Sequence, residues 1–215
     1  MRIKLILTVL SILLISLFII PVTDKSEAFS LWGNNKPTIL AQRQLDLTTR
    51  YPEKSVNSVF ADNIILSLHY LKNDVDPLPL DWNKIKQPFS VSFTLKPNET
   101  FVFHNNVLPE FKNPTVSMNS KYYIDEGYLS VGGLGGNGVC HLASLINWVA
   151  YAANLEVLSK VNHDFAPVMG VPKKFGTAIY SYSPDQNLYV KNNQTFPVTF
   201  EFTITPNLVD LKIVK

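Results

Sequence analysis

The sequence predicts an α+β domain: an antiparallel sheet, a buried central helix preceded by a glycine-rich loop, and an N-terminal helix covering the sheet. Three observations lead to it. Val56, Val59, Phe60, Ile64, Ser67, Leu68 and Leu71 recur at helical spacing. The run from Val139 to Ala153 is apolar around nearly its whole circumference, as in a helix enclosed on all sides. The last third alternates apolar and polar residues between turn signals, and no repeating βαβ pattern is present.

Taken in order, the chain begins with Arg2 and Lys4 ahead of an apolar run from Leu5 to Val22. This predicts a signal sequence or signal anchor over residues 1–28, with an anchor favoured and the remainder extracytoplasmic. Ser26-Glu27-Ala28 offers small residues around a cleavage point, flanked by charge. Residues 29–50 read as a linker, because Gly33, Asn34, Asn35 and Pro37 accompany no sustained period. The domain is assigned to residues 51–215. Its first helix follows Ser55, with His69 on the solvent side. Strands are expected at 89–95, where Phe89, Val91, Phe93 and Leu95 alternate, and at 101–103, ending at His104. After the helix at 139–153, with Asn154 suited to a left-handed cap, come a strand at 156–161 and a β-meander at 177–182, 187–191, 198–204 and 209–214.

Composition narrows the function. With 46% apolar residues and 12% aromatic, a packed core is readily built. A net charge of +2 and the lack of a basic stripe argue against a nucleic-acid partner. A single cysteine excludes an intramolecular disulfide framework and a multi-cysteine zinc site. A Cys140/His141/His163 metal site has poor geometry for adjacent helical residues, so neither metal nor cofactor is expected.

The chemistry concentrates at Gly132–Ala153. Five of the nine glycines lie between Gly132 and Gly138, and Cys140 follows two residues later. A glycine loop running into a helix presents backbone N–H groups that stabilise a thiolate or an oxyanion; here Gly136, Asn137, Gly138 and Val139 are the candidates. Cys140, Ser144, Asn147 and Tyr151 form a polar stripe that requires partners or a cleft. A thiol nucleophile also requires a base. His163, in a loop after a strand, is the first candidate, and His104, also at a strand end, is the reserve. His141 points about 100° away from its neighbour Cys140. The bland alternatives are a core cysteine and a turn histidine bonded to backbone.

These residues also carry a resemblance. Gly135-Gly136-Asn137-Gly138-Val139-Cys140 resembles the G-G-G-V-C-Q segment of the VanW family of bacterial cell-envelope proteins. Asp62-Asn63-Ile64, Leu95 to Phe103, Glu126-Gly127-Tyr128, Asn162-His163 and Val190 to Val198 resemble further family segments in the same order, covering roughly residues 55–204. Some VanW-domain proteins are L,D-transpeptidases. The resemblance therefore implies that Cys140 attacks the peptide bond before the terminal D-Ala of a peptidoglycan stem peptide, with His163 as base; a carboxylate or amide is needed to orient that base, and the adjacent Asp164 is the residue assigned to it. Three departures stand out: His141 replaces the usual Gln, Ala143 and Leu145 replace hydroxyl residues, and Gly176 stands where the family carries an acid. A non-catalytic module binding a cell-wall peptide is the second expectation.

Overall fold

A computed structural model describes residues 37–215. The expected signal or anchor at 1–28, and the linker as far as residue 36, lie outside the described residues. Ten strands and three helices follow: β1 (Ile39–Asp46), α1 (Lys54–Lys72), α2 (Trp82–Ile85), β2 (Phe89–Leu95), β3 (Thr100–Val102), β4 (Val116–Ser117), β5 (Ser130–Val131), β6 (Leu134–Gly135), α3 (Val139–Ala152), β7 (Glu156–Leu158), β8 (Tyr189–Lys191), β9 (Val198–Thr205) and β10 (Leu208–Val214). Antiparallel pairing dominates, and the fold is α+β.

The main sheet has the order β1-β10-β9-β2 and is antiparallel throughout. Strict alternation turns Val198, Phe200, Phe202 and Ile204 of β9, and Val209, Leu211 and Ile213 of β10, to one buried face. Both long helices lie on that face. α3 packs over β1 and β10, while α1 packs over β2 and beside α3. A second sheet, ordered β4-β3-β8-β7, takes the chain as it leaves α3. Its β3–β4 pair is parallel and its other pairs are antiparallel. The expected meander is thus divided, with β8 in the second sheet beside β7 and the β9–β10 hairpin in the first.

α3 ends as its sequence requires. Asn154 takes the left-handed conformation (φ 58°), and Leu155 N–H returns to the Ala150 carbonyl. The glycine segment is a hairpin rather than an open loop. Gly132 and Gly133, both at positive φ (66° and 76°), form the two-residue turn between β5 and β6.

Three expectations are corrected. Residues 39–49 are not linker: β1 pairs with β10 along its length, a 3-10 turn follows at Leu47–Thr49, and Ala41, Leu45 and Leu47 are buried. Arg43 obscured the alternation, because it occupies an inward-facing position and lays its guanidinium over the Trp148 ring at 4.8 Å. His69 is buried, not on the surface. Its Nε2 lies 3.0 Å from the Ile85 carbonyl, its Nδ1 2.8 Å from Asp74, and its ring stacks on Phe89. Finally, 177–182 is not a strand: 177–180 pair with no ladder and Ser181–Tyr182 lie in a turn, for reasons that begin at α3.

Among the described residues, no helix is long and apolar enough to cross a membrane.

Candidate active site around Cys140

α1 holds the glycine hairpin in place. Asn63 is fully buried and donates from Nδ2 to the carbonyls of Leu129 and Asn137, each at 2.9 Å. Its Oδ1 accepts the Leu129 N–H at 2.8 Å. One side chain thereby ties both ends of the hairpin to α1. Asn137 Oδ1 accepts from Val131 N–H at 3.0 Å and closes the hairpin internally. At Gly138, the N-cap of α3, φ is 102°, and a Cβ there would sit 2.5 Å from the Phe60 carbonyl oxygen. Only glycine allows α3 to begin this close to α1.

Cys140 is the second residue of α3 and is half-buried. Its sulfur lies 3.3 Å from the Ile179 N–H, which donates to it, and 3.9 Å from the Ile179 carbonyl, which the thiol faces as a donor. Burial pushes the thiol up to about 11, against the N–H groups of Ile179 and of Cys140 itself, which favour the thiolate. Of the N–H groups expected to form an oxyanion site, that of Val139 is taken by the Gly136 carbonyl at 3.1 Å.

The rest of the polar stripe finds its partners in one extended segment. Ser144 Oγ donates to the Cys140 carbonyl at 2.7 Å and accepts the Thr177 N–H at 2.9 Å. Asn147 Nδ2 donates to the Phe175 carbonyl (3.2 Å) and to Thr177 Oγ1 (3.0 Å), and the Tyr151 ring lies 5.2 Å from that of Phe175. Cys140, Ser144, Asn147 and Tyr151 thus meet Ile179, Thr177 and Phe175 in reverse order, and segment 175–179 runs antiparallel to the helix. This is why 177–182 forms no strand: the Thr177 N–H is committed to Ser144, and the Ala178 N–H goes to the Val161 carbonyl at 3.0 Å.

His163 is buried, and its Nδ1 lies 2.6 Å from the Ala166 carbonyl. A carbonyl only accepts, so this contact assigns the proton to Nδ1 and leaves Nε2 as the basic nitrogen. The ring stands edge-on against His141 (centroids 6.1 Å apart) and packs on Phe165 at 4.1 Å. The imidazole against His163 is therefore His141, while the sulfur's own hydrogen bonds go to Ile179. Asp164 is exposed and faces Lys173 at 3.9 Å, so the part expected of it beside His163 is filled by the Ala166 carbonyl. Gly176 lies beside this histidine: a Cβ added there would come 3.4 Å from His163 Cβ and 3.0 Å from Asn162 Oδ1.

His104 is buried, and burial lowers its pKa. Its Nε2 donates to the Gln186 carbonyl at 3.1 Å and its Nδ1 faces Asn187 Nδ2 at 3.4 Å, an arrangement that ties β3 to the 186–187 turn. His141 is buried against Phe60 (5.2 Å), and its Nδ1 is enclosed without a hydrogen-bond partner. Two residues that shape the site were not singled out as such in the sequence. Asn63 lies on the apolar stripe of α1, where a buried amide signals a bonding task. Arg50, almost fully buried, bonds the Asp46 and Met169 carbonyls and adds positive charge near His141. No group of three or more His, Cys, Asp or Glu residues suited to a metal occurs among the described residues.

Fold and site define an α+β domain that presents one thiol in the first turn of an enclosed helix, held against the Ile179 backbone. A family model described as VanW like protein matches residues 91–214, from β2 through the glycine hairpin and α3 to the end of β10. The chain belongs to this family, which places it among proteins of the cell envelope. Comparison with curated proteins and with solved structures gave no match.

Proposed function

We propose that this protein is an extracytoplasmic cysteine acyltransferase acting on peptidoglycan stem peptides, held at the membrane through its N-terminal segment. The observation that best supports this reading is the setting of the Cys140 sulfur, in the first turn of α3 on a half-buried residue, with the Ile179 N–H donating to it. In the proposed reaction, Cys140 attacks the carbonyl carbon of the peptide bond before a terminal D-Ala, and its thiol proton passes to His163 Nε2. The C–N bond breaks, a thioester remains on Sγ, and the proton moves to the leaving amine. The amine of a second stem then attacks the thioester, its proton returns through His163 to the sulfur, and the cross-link closes. Because the thiol sits at about 11, roughly one molecule in ten thousand carries a thiolate at pH 7. Proton removal therefore accompanies attack, in contrast to a preformed thiolate–imidazolium pair.

A second reading, a non-catalytic module that binds a cell-wall peptide, is favoured by the hydrogen bonds that engage the sulfur with Ile179. Incubating the full chain in detergent with purified muropeptides, and weighing protein and products, separates the two. The enzyme reading expects an acyl adduct on Cys140 and a cross-linked product, both abolished in Cys140→Ala with an unchanged melting temperature. Equal muropeptide binding by both proteins without any product would establish the module instead.

A further inference from the structure

Away from Cys140, a groove of about 720 Å³ opens between the C-terminal end of α1, β2 and β4. Its walls are two sheet edges. β2 is the outer strand of the main sheet and β4 the outer strand of the second. Ser90, Val91, Ser92 and Phe93 all line the groove, as do Pro114, Thr115, Val116 and Ser117. Successive strand residues point to opposite faces, so four in a row can border one space only where the edge itself, with its backbone N–H and C=O groups, faces it.

Within its own residues, β2 carries none of the devices that blunt such an edge. Over seven residues, Phe89–Leu95, it carries no charge and no proline, and its register against β9 is unbroken by a bulge. The remaining lining is Leu71, the amides of Asn73, Asn105 and Asn119, and Lys72, whose ammonium is paired with Asp74.

We propose that this groove is a β-augmentation site for an extended L-peptide segment of a partner protein, with polar uncharged side chains. At a rise of 3.3 Å, a strand spacing of 4.8 Å and a sheet thickness near 10 Å, the volume holds roughly four to five residues of one strand. That is room for a single chain and not for the sheet of a second copy. Repeating main-chain donors and acceptors along both walls suit a peptide better than a saccharide. The site does not depend on the Cys140 chemistry.

The test is to pan a random heptapeptide library against the full chain, with the Ser90→Lys/Ser92→Lys variant as control. Both serines are exposed, and circular dichroism with a melting curve verifies that the variant is folded. Selected peptides, once synthesised, are expected to bind the variant and to bind as N-methylated twins at least ten-fold more weakly. They are also expected to shift the amide resonances of 90–93 and 116–117. Failure to enrich any peptide over the variant, or equal binding by the N-methylated twins, overturns the proposal. So does chitotetraose shifting the same amides, which would make the groove a saccharide site, or concentration-dependent dimerisation abolished by the variant, which would make it a self-association edge.

Discussion

Burial, the nearby Arg50 guanidinium and the imidazole of His163 together push His141 from an ordinary 6.5 down to about 3. The ring is therefore neutral in the folded protein, with an enclosed Nδ1 that no group bonds. Below about pH 6.5 the unfolded chain takes up a proton at His141 that the folded chain refuses until about pH 3. The unfolded state binds more protons across that window, so stability is complete above 6.5 and falls as the pH drops toward 3. His141→Gln, the residue the family usually carries here, removes this titration. Urea midpoints at pH 7 and pH 4 check the effect: the variant is expected to lose less stability between them, by a difference of order a few kcal/mol. A wild-type chain as acid-tolerant as the variant would refute the assignment.

At the scale of elements, the joint between α1 and the glycine hairpin rests on Asn63. Asn63→Ala removes the partner of two carbonyls and one N–H on the half-buried Leu129 and Asn137, which costs about 1–3 kcal/mol. A lower melting temperature, with faster iodoacetamide labelling of Cys140 as α3 loses its fixed start, is the expected outcome; labelling that stays at the wild-type rate would show that the hairpin does not govern the thiol. This joint was half legible in the sequence. The glycines and the uncharged run behind them fixed α3 to within a residue, because periodicity and backbone permissiveness are local properties. Its docking partners were not legible, since the polar stripe announces a need for partners without saying where they lie. Segment 175–179 answers that need, and its β-rich composition made it look like a strand although side chains of α3 had claimed its N–H groups. Arg43 hid β1 in the same way: its inward position is satisfied by a tertiary contact with Trp148 that no local pattern contains. Asp164 was placed beside His163 by sequence adjacency alone, whereas the chain turns it outward toward Lys173.

For the molecule as a whole, the family match and the folding unit have different boundaries. The match begins at Val91, inside β2, and so leaves out β1, α1 and α2. Yet β1 supplies the hydrogen-bonding partner of β10 from Asp46↔Leu208 to Ile39↔Val214, and α1 covers the β2 side of the same face. Without them, β10 becomes an open edge, and Phe200 and Phe202, now buried, lose part of their cover. Asn63 would be gone as well, leaving the hairpin before Cys140 without its anchor. A fragment of residues 91–214 is therefore expected to show no cooperative thermal transition and to bind a hydrophobic dye, whereas 37–215 melts as one unit. Because α3 packs on β1 and α1 at once, the same loss reaches the thiol: in the fragment, Cys140 should label as fast as in urea. A cooperative melt of the fragment within a few degrees of the longer chain would mean that the N-terminal elements decorate the domain and do not complete its core.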